Sequence, residues 1–133
     1  EKIWRTNTMN LDKVISGFFI ILAMTLNFGF FYGDIQSIES HSKYELFAAI
    51  IINLIATILK LGDKTQLGSV LLATSLVADI QLITAAIIWT VVAYSSTMDS
   101  SVMSVVVSLS GGALLANITS VALYVGDTLK SKR

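Results

Sequence analysis

Apolar residues run through this chain in four long stretches, and each stretch is interrupted near its middle by one strongly polar side chain: Asn27, Asn53, Asp79 and Asn117. A bilayer core of about 30 Å takes about 20 residues of helix at roughly 1.5 Å each. The stretches therefore predict transmembrane helices over residues 14–32, 44–61, 67–94 and 104–125, in a single transmembrane domain covering residues 1–133. The fold class is all-α, an integral membrane four-helix bundle. The third stretch is long enough to tilt or to protrude past one interface. The chain has no proline, so no helix is kinked by a missing donor.

Counted back from the ends at which Gly62 and Gly126 stand, Asn53 and Asn117 each lie about 14 Å into the bilayer, and Asp79 and Asn27 roughly 20 Å. All four thus fall near mid-membrane. Each has a small residue one turn earlier on its own face, namely Ala23, Ala49, Ser75 and Ala113. The fourth stretch adds a ridge of small residues at every fourth position, Ser104, Ser108, Gly112, Ala116 and Ser120. Such ridges let backbones approach closely in lipid, where burying apolar area between helices gains little. The ridge predicts a helix-packing or subunit interface.

Charge fixes an orientation. Lys2, Arg5 and Lys13 precede the first stretch, Lys60 and Lys64 join the second to the third, and Lys130, Lys132 and Arg133 end the chain; only Lys43 falls on the other side. The positive-inside rule then places both termini and the middle loop in the cytoplasm. Asp34, Glu39, Glu45 and Asp99 belong to the external side, with Tyr32, Tyr44 and Tyr94 at the outer interface and Trp4 and Tyr124 at the inner one. No small-residue cleavage pattern follows Phe30, Phe31 and Tyr32, so the first stretch reads as a membrane helix rather than a signal peptide. Met9-Asn10-Leu11 reads as a translation start, which leaves residues 1–8 as appended sequence or as a short interfacial segment anchored by Trp4.

Composition narrows the function classes. Hydrophobic residues make up 54% and charged residues 14%, with a mean hydropathy of +0.75, against about 25% charged in soluble domains. Nine Lys and Arg balance nine Asp and Glu, so nothing here neutralises the phosphates of nucleic acid. There is no cysteine and one histidine, His41, which leaves no thiolate chemistry and no multi-histidine metal centre. Without a Ser-His-Asp set, a Cys-His set or a phosphate-binding glycine loop, the chain reads as a non-enzyme with no cofactor and no resident metal.

Superposing the second and fourth stretches brings Asn53 onto Asn117 and Gly62-Asp63 onto Gly126-Asp127 at a constant offset of 64. The two halves are consistent with parallel helical-hairpin repeats related by an axis along the membrane normal, or with convergence on one helix-ending Gly-Asp. The Gly of each pair has the form of a left-handed helix cap. Gly62-Asp63-Lys64-Thr65-Gln66 also resembles the Glu-x-Gly-Asp-Lys/Arg-Thr/Ser signature of a family of cation/proton exchangers for calcium and manganese. Where that family has its metal-binding Glu, this chain has Lys60, and the second copy has Tyr124. From Met9 onward, with Phe28-Gly29-Phe30-Phe31-Tyr32-Gly33-Asp34 and the Gly-Asp-Lys-Thr-Gln turn, the chain resembles a family of small uncharacterised bacterial inner-membrane proteins of unknown function. That resemblance implies a bacterial inner (plasma) membrane and brings no activity with it.

Two readings of the polar residues remain. In one, the three Asn residues are interhelical glue, at about 0.6 kcal/mol per hydrogen bond. In the other, Asp79 is the centre of a site, since a carboxylate costs about 2.5 to 3.5 kcal/mol at a helix centre. Its expected partners are then Asn53, Asn117, Asn27, Gln81, Thr57 and Thr84, whose neutral oxygens suit a small monovalent cation or a relayed proton. The chain is accordingly read as a channel or transporter for a small cation. It would work as a homo-oligomer in the lipid bilayer, because four helices enclose little volume. The alternative is a non-catalytic accessory subunit docked on another membrane protein.

Overall fold

A computed structural model describes residues 11–33 and 41–131. The interfacial Trp4, the start at Met9, the basic Lys2, Arg5, Lys132 and Arg133 and the acidic Asp34 and Glu39 lie outside these residues. Four helices account for nearly all of what is described, in the order α1 (Leu11–Phe31), α2 (Lys43–Lys60), α3 (Gln66–Ser95) and α4 (Ser100–Ser131). Each packs on the next and α4 returns to α1, which closes a ring.

The main buried seam of each helix recurs at spacings of three or four. On α1 its residues are Ile20, Ala23, Asn27 and Phe30, and on α2 Leu46, Ala49, Asn53, Ala56 and Lys60. On α3 the seam is Leu71, Ser75, Ala78, Leu82 and Ala85. This average of about 3.5 residues falls short of the helical 3.6, so helices that keep such a seam facing its neighbours wind around each other with a left-handed twist. Ala23, Ala49, Ser75 and Ala113, one turn before the polar residues, are all buried.

Polar groups thus share the interior with small and apolar residues, and large apolar side chains cover the outside. Phe18, Ile51, Ile80, Ile87 and Leu115 are each more than half exposed. A contiguous apolar exterior of this kind would drive aggregation in water and is at home in lipid. Helices α1, α3 and α4 are long and apolar enough to cross a bilayer, and the chain is a helical membrane protein. Helix α2 is shorter and carries Lys43, Glu45 and Lys60 at its two ends.

The helix ends show what the hydropathy pattern alone could not. Helix α4 begins at Ser100 rather than near residue 104, because Asp99 caps it: its Oδ1 accepts from the Val102 N–H at 2.9 Å and the Ser101 hydroxyl at 2.7 Å. The same helix runs through Gly126 to Ser131, so the second Gly-Asp does not end a helix. Nor is either glycine a left-handed cap. Among the described residues the one positive φ belongs to Gly33, at 115°, where the chain turns away from α1. Gly62-Asp63 forms a turn instead. Asp63 Oδ1 accepts from both the Thr65 N–H and the Thr65 hydroxyl, and Thr65 Oγ1 in turn accepts from the Gly68 N–H at 3.0 Å as the N-cap of α3. These bonds hold the Asp63 carboxyl below its usual range; the Thr65 hydroxyl is the largest cause, followed by the Thr65 N–H. A tight α2–α3 connection explains why these five residues look like a motif.

Candidate functional site

Around the ring, the four mid-membrane polar residues separate into two groups. Asn27 and Asn117 form one group, at the α1–α4 seam. The Asn27 amide donates to the Ser110 carbonyl at 2.9 Å, and the Asn117 amide donates to Asn27 Oδ1 at 2.9 Å. Both residues are fully packed, and this pair is an interhelical clamp. Asn53 and Asp79 form the other group, at the α2–α3 seam, linked through Thr57. The Thr57 hydroxyl lies 2.6 Å from Asp79 Oδ2 and 2.8 Å from the Asn53 carbonyl oxygen of the preceding turn. The Asn53 amide turns back on its own helix, to the Ala49 carbonyl at 2.7 Å.

Asp79 is only 5% exposed, and no donor among the described residues reaches its Oδ1. One turn toward the chain termini sits Lys60, 6% exposed. Its ammonium donates to the Ser75 hydroxyl and, at 3.5 Å, to the Leu71 carbonyl. Lys60 and Asp79 attract one another electrostatically but do not touch. Ser75, one turn before Asp79 on α3, stands between them. The ordered succession is Lys60, Ser75, Asp79, Thr57, Asn53, along one seam.

Four of the six expected partners are not part of it: Asn27 and Asn117 pair at the α1–α4 seam, and Gln81 and Thr84 lie on other faces of α3. Gln81 follows Asp79 by two residues, about 200° around the helix, and its amide lies against Gly112 of α4, with Oε1 also unpartnered among the described residues. Thr84 is exposed and its hydroxyl bonds the Ile80 carbonyl at 2.7 Å. The small-residue ridge divides as well: Ser120 is buried and shares a hydrogen bond with Thr74, whereas Ser108 is exposed. Residues spaced by four overrun each helical turn by about 40° and drift around the helix, so the ridge leaves the seam that Met103, Val107, Ser110, Leu114 and Asn117 keep. Close approaches are found at Gly112 of the ridge and at Gly111 beside it, where an added Cβ would stand 2.7 Å from the Gln81 amide and 2.8 Å from the Phe31 ring respectively.

At the end of the bundle that holds the α2–α3 turn and both described chain ends, the four helices part around a vestibule of about 630 Å³. Asp12, Lys13, Lys60, Asp63, Tyr124 and Asp127 line it. Lys13 and Asp127 form an ion pair at 3.6 Å across its α1–α4 side. The Tyr124 hydroxyl donates to the Lys13 carbonyl and its ring lies against Gly17. Tyr124, expected at the lipid interface, thus closes a seam. Lys60 does the equivalent on the opposite seam, reaching from the end of α2 to Leu71 and Ser75, a pair spaced as Lys13 and Gly17 are. Tyr124 and Lys60 are the residues superposed by the offset of 64, and each reaches from its own helix to a neighbouring one.

The other half of the bundle is apolar inside, with a pocket of about 410 Å³ between the α2 and α3 ends beside Leu46, Ala86 and Trp89. Phe30, Leu46, Ala49, Leu82, Met103, Val106 and Val107 form one buried apolar cluster. Beyond it, His41 is buried, with its Nδ1 2.5 Å from the Phe30 carbonyl oxygen and its ring against that of Phe30. Among the described residues no group of His, Cys, Asp or Glu could hold a metal ion. A model of a protein family of unknown function matches residues 40–128. No curated protein and no solved structure matches the chain.

Proposed function

The chain belongs to that family, DUF6394, whose function is unknown; working from its own geometry, we propose that it passes a proton or a small monovalent cation through the polar seam centred on Asp79. The observation that carries this reading is the Asp79 carboxylate itself. It is buried in the bundle with one oxygen held by Thr57 and the other free of protein donors, beneath a vestibule lined with charged groups. A carboxylate placed in this way costs several kcal/mol, roughly 2.5 to 3.5 on insertion scales, and such residues usually line ion or proton paths. Lys60 supplies the opposite charge that makes its burial tolerable.

In this reading α2 crosses the membrane with the other three helices, both termini face the cytoplasm of a bacterial inner membrane, and the vestibule is the cytoplasmic entrance. The apolar cluster around Phe30 and Leu82 closes the far half, so conduction involves opening that half or contributing it from further copies of the chain in a homo-oligomer. The same closed half favours a second reading, a non-conducting accessory subunit of a larger membrane complex, with Asp79 and Lys60 as an internal fastening.

Ion flux into proteoliposomes separates the two. Purified protein should move protons, sodium or potassium down an imposed gradient, and Asp79→Asn should abolish that flux while leaving insertion and helicity intact. Silence of the parent protein under all three gradients, with insertion verified, would remove the transport reading and leave the accessory subunit.

A further inference from the structure

At the end of the bundle opposite the vestibule, the outer side of the α2–α3 seam is grooved. A pocket of about 410 Å³ lies there between Lys43, Tyr44 and Phe47 of α2 and Trp89, Ala93 and Tyr94 of α3. A second, of about 360 Å³, continues it toward the middle of the bundle beside Ile50, Ile83, Ile87 and Val91. Phe47, Ala86 and Thr90 line both, so the two form one groove. We infer that this groove seats one anionic glycerophospholipid, its phosphate on Lys43 and one acyl chain running along α3 from Tyr94 toward Ile83. The lipid site needs no ion passage at Asp79 and stands apart from it.

The groove has a local cause. Ala86, Thr90 and Ala93 follow one another at spacings of four and three, so they share a face of α3. Their small side chains leave a channel, which the larger Phe47, Ile87 and Val91 wall in. Tyr44 and Tyr94 stand at its mouth, 76% and 90% exposed, so nothing within one chain covers it. Tyrosines in such a position belong at headgroup level. The eleven residues from Ile83 to Tyr94 span about 16 Å at roughly 1.5 Å each, which is about half of a hydrocarbon core of roughly 30 Å. The groove is therefore one leaflet deep. That depth fits a lipid tail and is too short for a membrane-crossing helix of another copy.

Charge selects the headgroup. Among the described residues Lys43 is the one charged group lining the groove, and its ammonium rests over the Tyr44 ring, 5.5 Å from the centroid. The neighbouring carboxylates are engaged elsewhere: that of Glu45 lies toward Gly29 of α1, and Asp99 Oδ1 accepts the bonds that cap α4. A positive charge thus stands above an apolar channel, which complements a phosphate above its tails. A phosphocholine headgroup brings its own ammonium to the same place and gains less. A second copy seated here about a two-fold axis would set Lys43 against Lys43. Because a tail gains little by leaving other lipid for an apolar groove, the preference comes from the headgroup. One basic residue at the membrane surface corresponds to about a fivefold preference for an anionic lipid.

The test uses the full chain carrying Trp4→Phe, which leaves Trp89 as its one tryptophan. It is reconstituted in phosphatidylcholine vesicles with rising fractions of dibrominated phosphatidylglycerol or, separately, dibrominated phosphatidylcholine. Bromine quenches an indole on contact, so Trp89 fluorescence reports which lipid occupies the groove. Phosphatidylglycerol should quench with about fivefold higher apparent affinity than phosphatidylcholine. Lys43→Gln should bring that ratio to about one, and Lys43→Arg should keep it. Thr90→Phe, at an exposed position common to both parts of the groove, should also abolish the preference although Lys43 is still present. Equal quenching by the two lipids in the unsubstituted groove would overturn the inference. So would a preference that survives in Lys43→Gln, or one that survives in Thr90→Phe, which would mean that anionic lipid gathers near Lys43 without being seated. Quenching by both lipids that weakens as the protein-to-lipid ratio rises would put a second copy in the groove instead. Because the two lipids are compared on the unsubstituted groove, a variant that fails to insert leaves the result decisive.

Discussion

Removing the charge of Lys60 or of Asp79 should destabilise the bundle, and removing both should cost less than the two losses added. The coupling follows from geometry. The two groups lie beyond the 4.0 Å range of an ion pair, where the attraction at an effective dielectric of 20 has a ceiling of about 4 kcal/mol. The attraction falls in inverse proportion to distance, toward about 2 to 3 kcal/mol as the separation approaches twice that range. Neither partner is left bare by the loss of the other, since Thr57 still holds Asp79 and Ser75 and Leu71 still hold Lys60. Each single replacement, Lys60→Met or Asp79→Asn, is therefore expected to cost about 3 kcal/mol, at the low end for one-sided loss of a buried pair. The double variant should cost about 2 to 3 kcal/mol less than the sum. Reversible unfolding in mixed micelles, followed by far-ultraviolet circular dichroism over the four proteins of this cycle, gives the coupling directly. Additive costs, to within about 0.5 kcal/mol, would mean that the two charges do not sense each other and would refute the electrostatic part of the argument.

Other expectations come from the remaining contacts. Asn27→Ala removes the bonds to Ser110 and Asn117 and leaves the Asn117 amide unpaired; a loss of about 1 to 3 kcal/mol is expected in the same unfolding assay, with no change in ion selectivity. Gly111→Ala drives a methyl group into the Phe31 ring and should cost about 1 to 3 kcal/mol, unlike Gly62→Ala, which meets nothing within 4 Å. Thr65→Ala removes the α3 N-cap, at about 1 kcal/mol. The folded state holds the Asp63 carboxyl below its unfolded value, so its contribution is present above the unfolded value and is lost as the pH falls through the folded one. Asp63→Asn should accordingly flatten the acid limb of stability against pH, and an unchanged limb would show that the turn contributes nothing there.

Much of the bundle could be read from hydropathy, since long apolar runs admit little else. The site was less legible, for reasons visible in particular residues. Lys60 closes an apolar run, where a lysine ordinarily signals the cytoplasmic face, and it was read as that. Yet it stands seven residues after Asn53 and four after Ala56, on the buried stripe of α2, and that spacing was the available signal. The same rotation excludes Gln81 and Thr84 from the neighbourhood of Asp79, because about 100° per residue carries them to other faces of α3. The pairing of Asn27 with Asn117 was beyond sequence reasoning, since it depends on α4 closing the ring against α1. The start of α4 was masked by Ser100 and Ser101, whose polarity hides the cap made by Asp99.

The two matching reaches across the bundle differ in one respect that sets a number. Lys60 brings an ammonium to the seam that holds the buried Asp79 carboxylate, and Tyr124 brings a phenol to the other, where the amides of Asn27 and Asn117 are buried instead and the Asp127 carboxylate is paired with Lys13 at the mouth. Each polypeptide therefore has one seam with a buried carboxylate and one with a buried amide pair. In an assembly of n copies, saturating ion binding should count n equivalents and not 2n, and a tandem fusion of two chains should double the count.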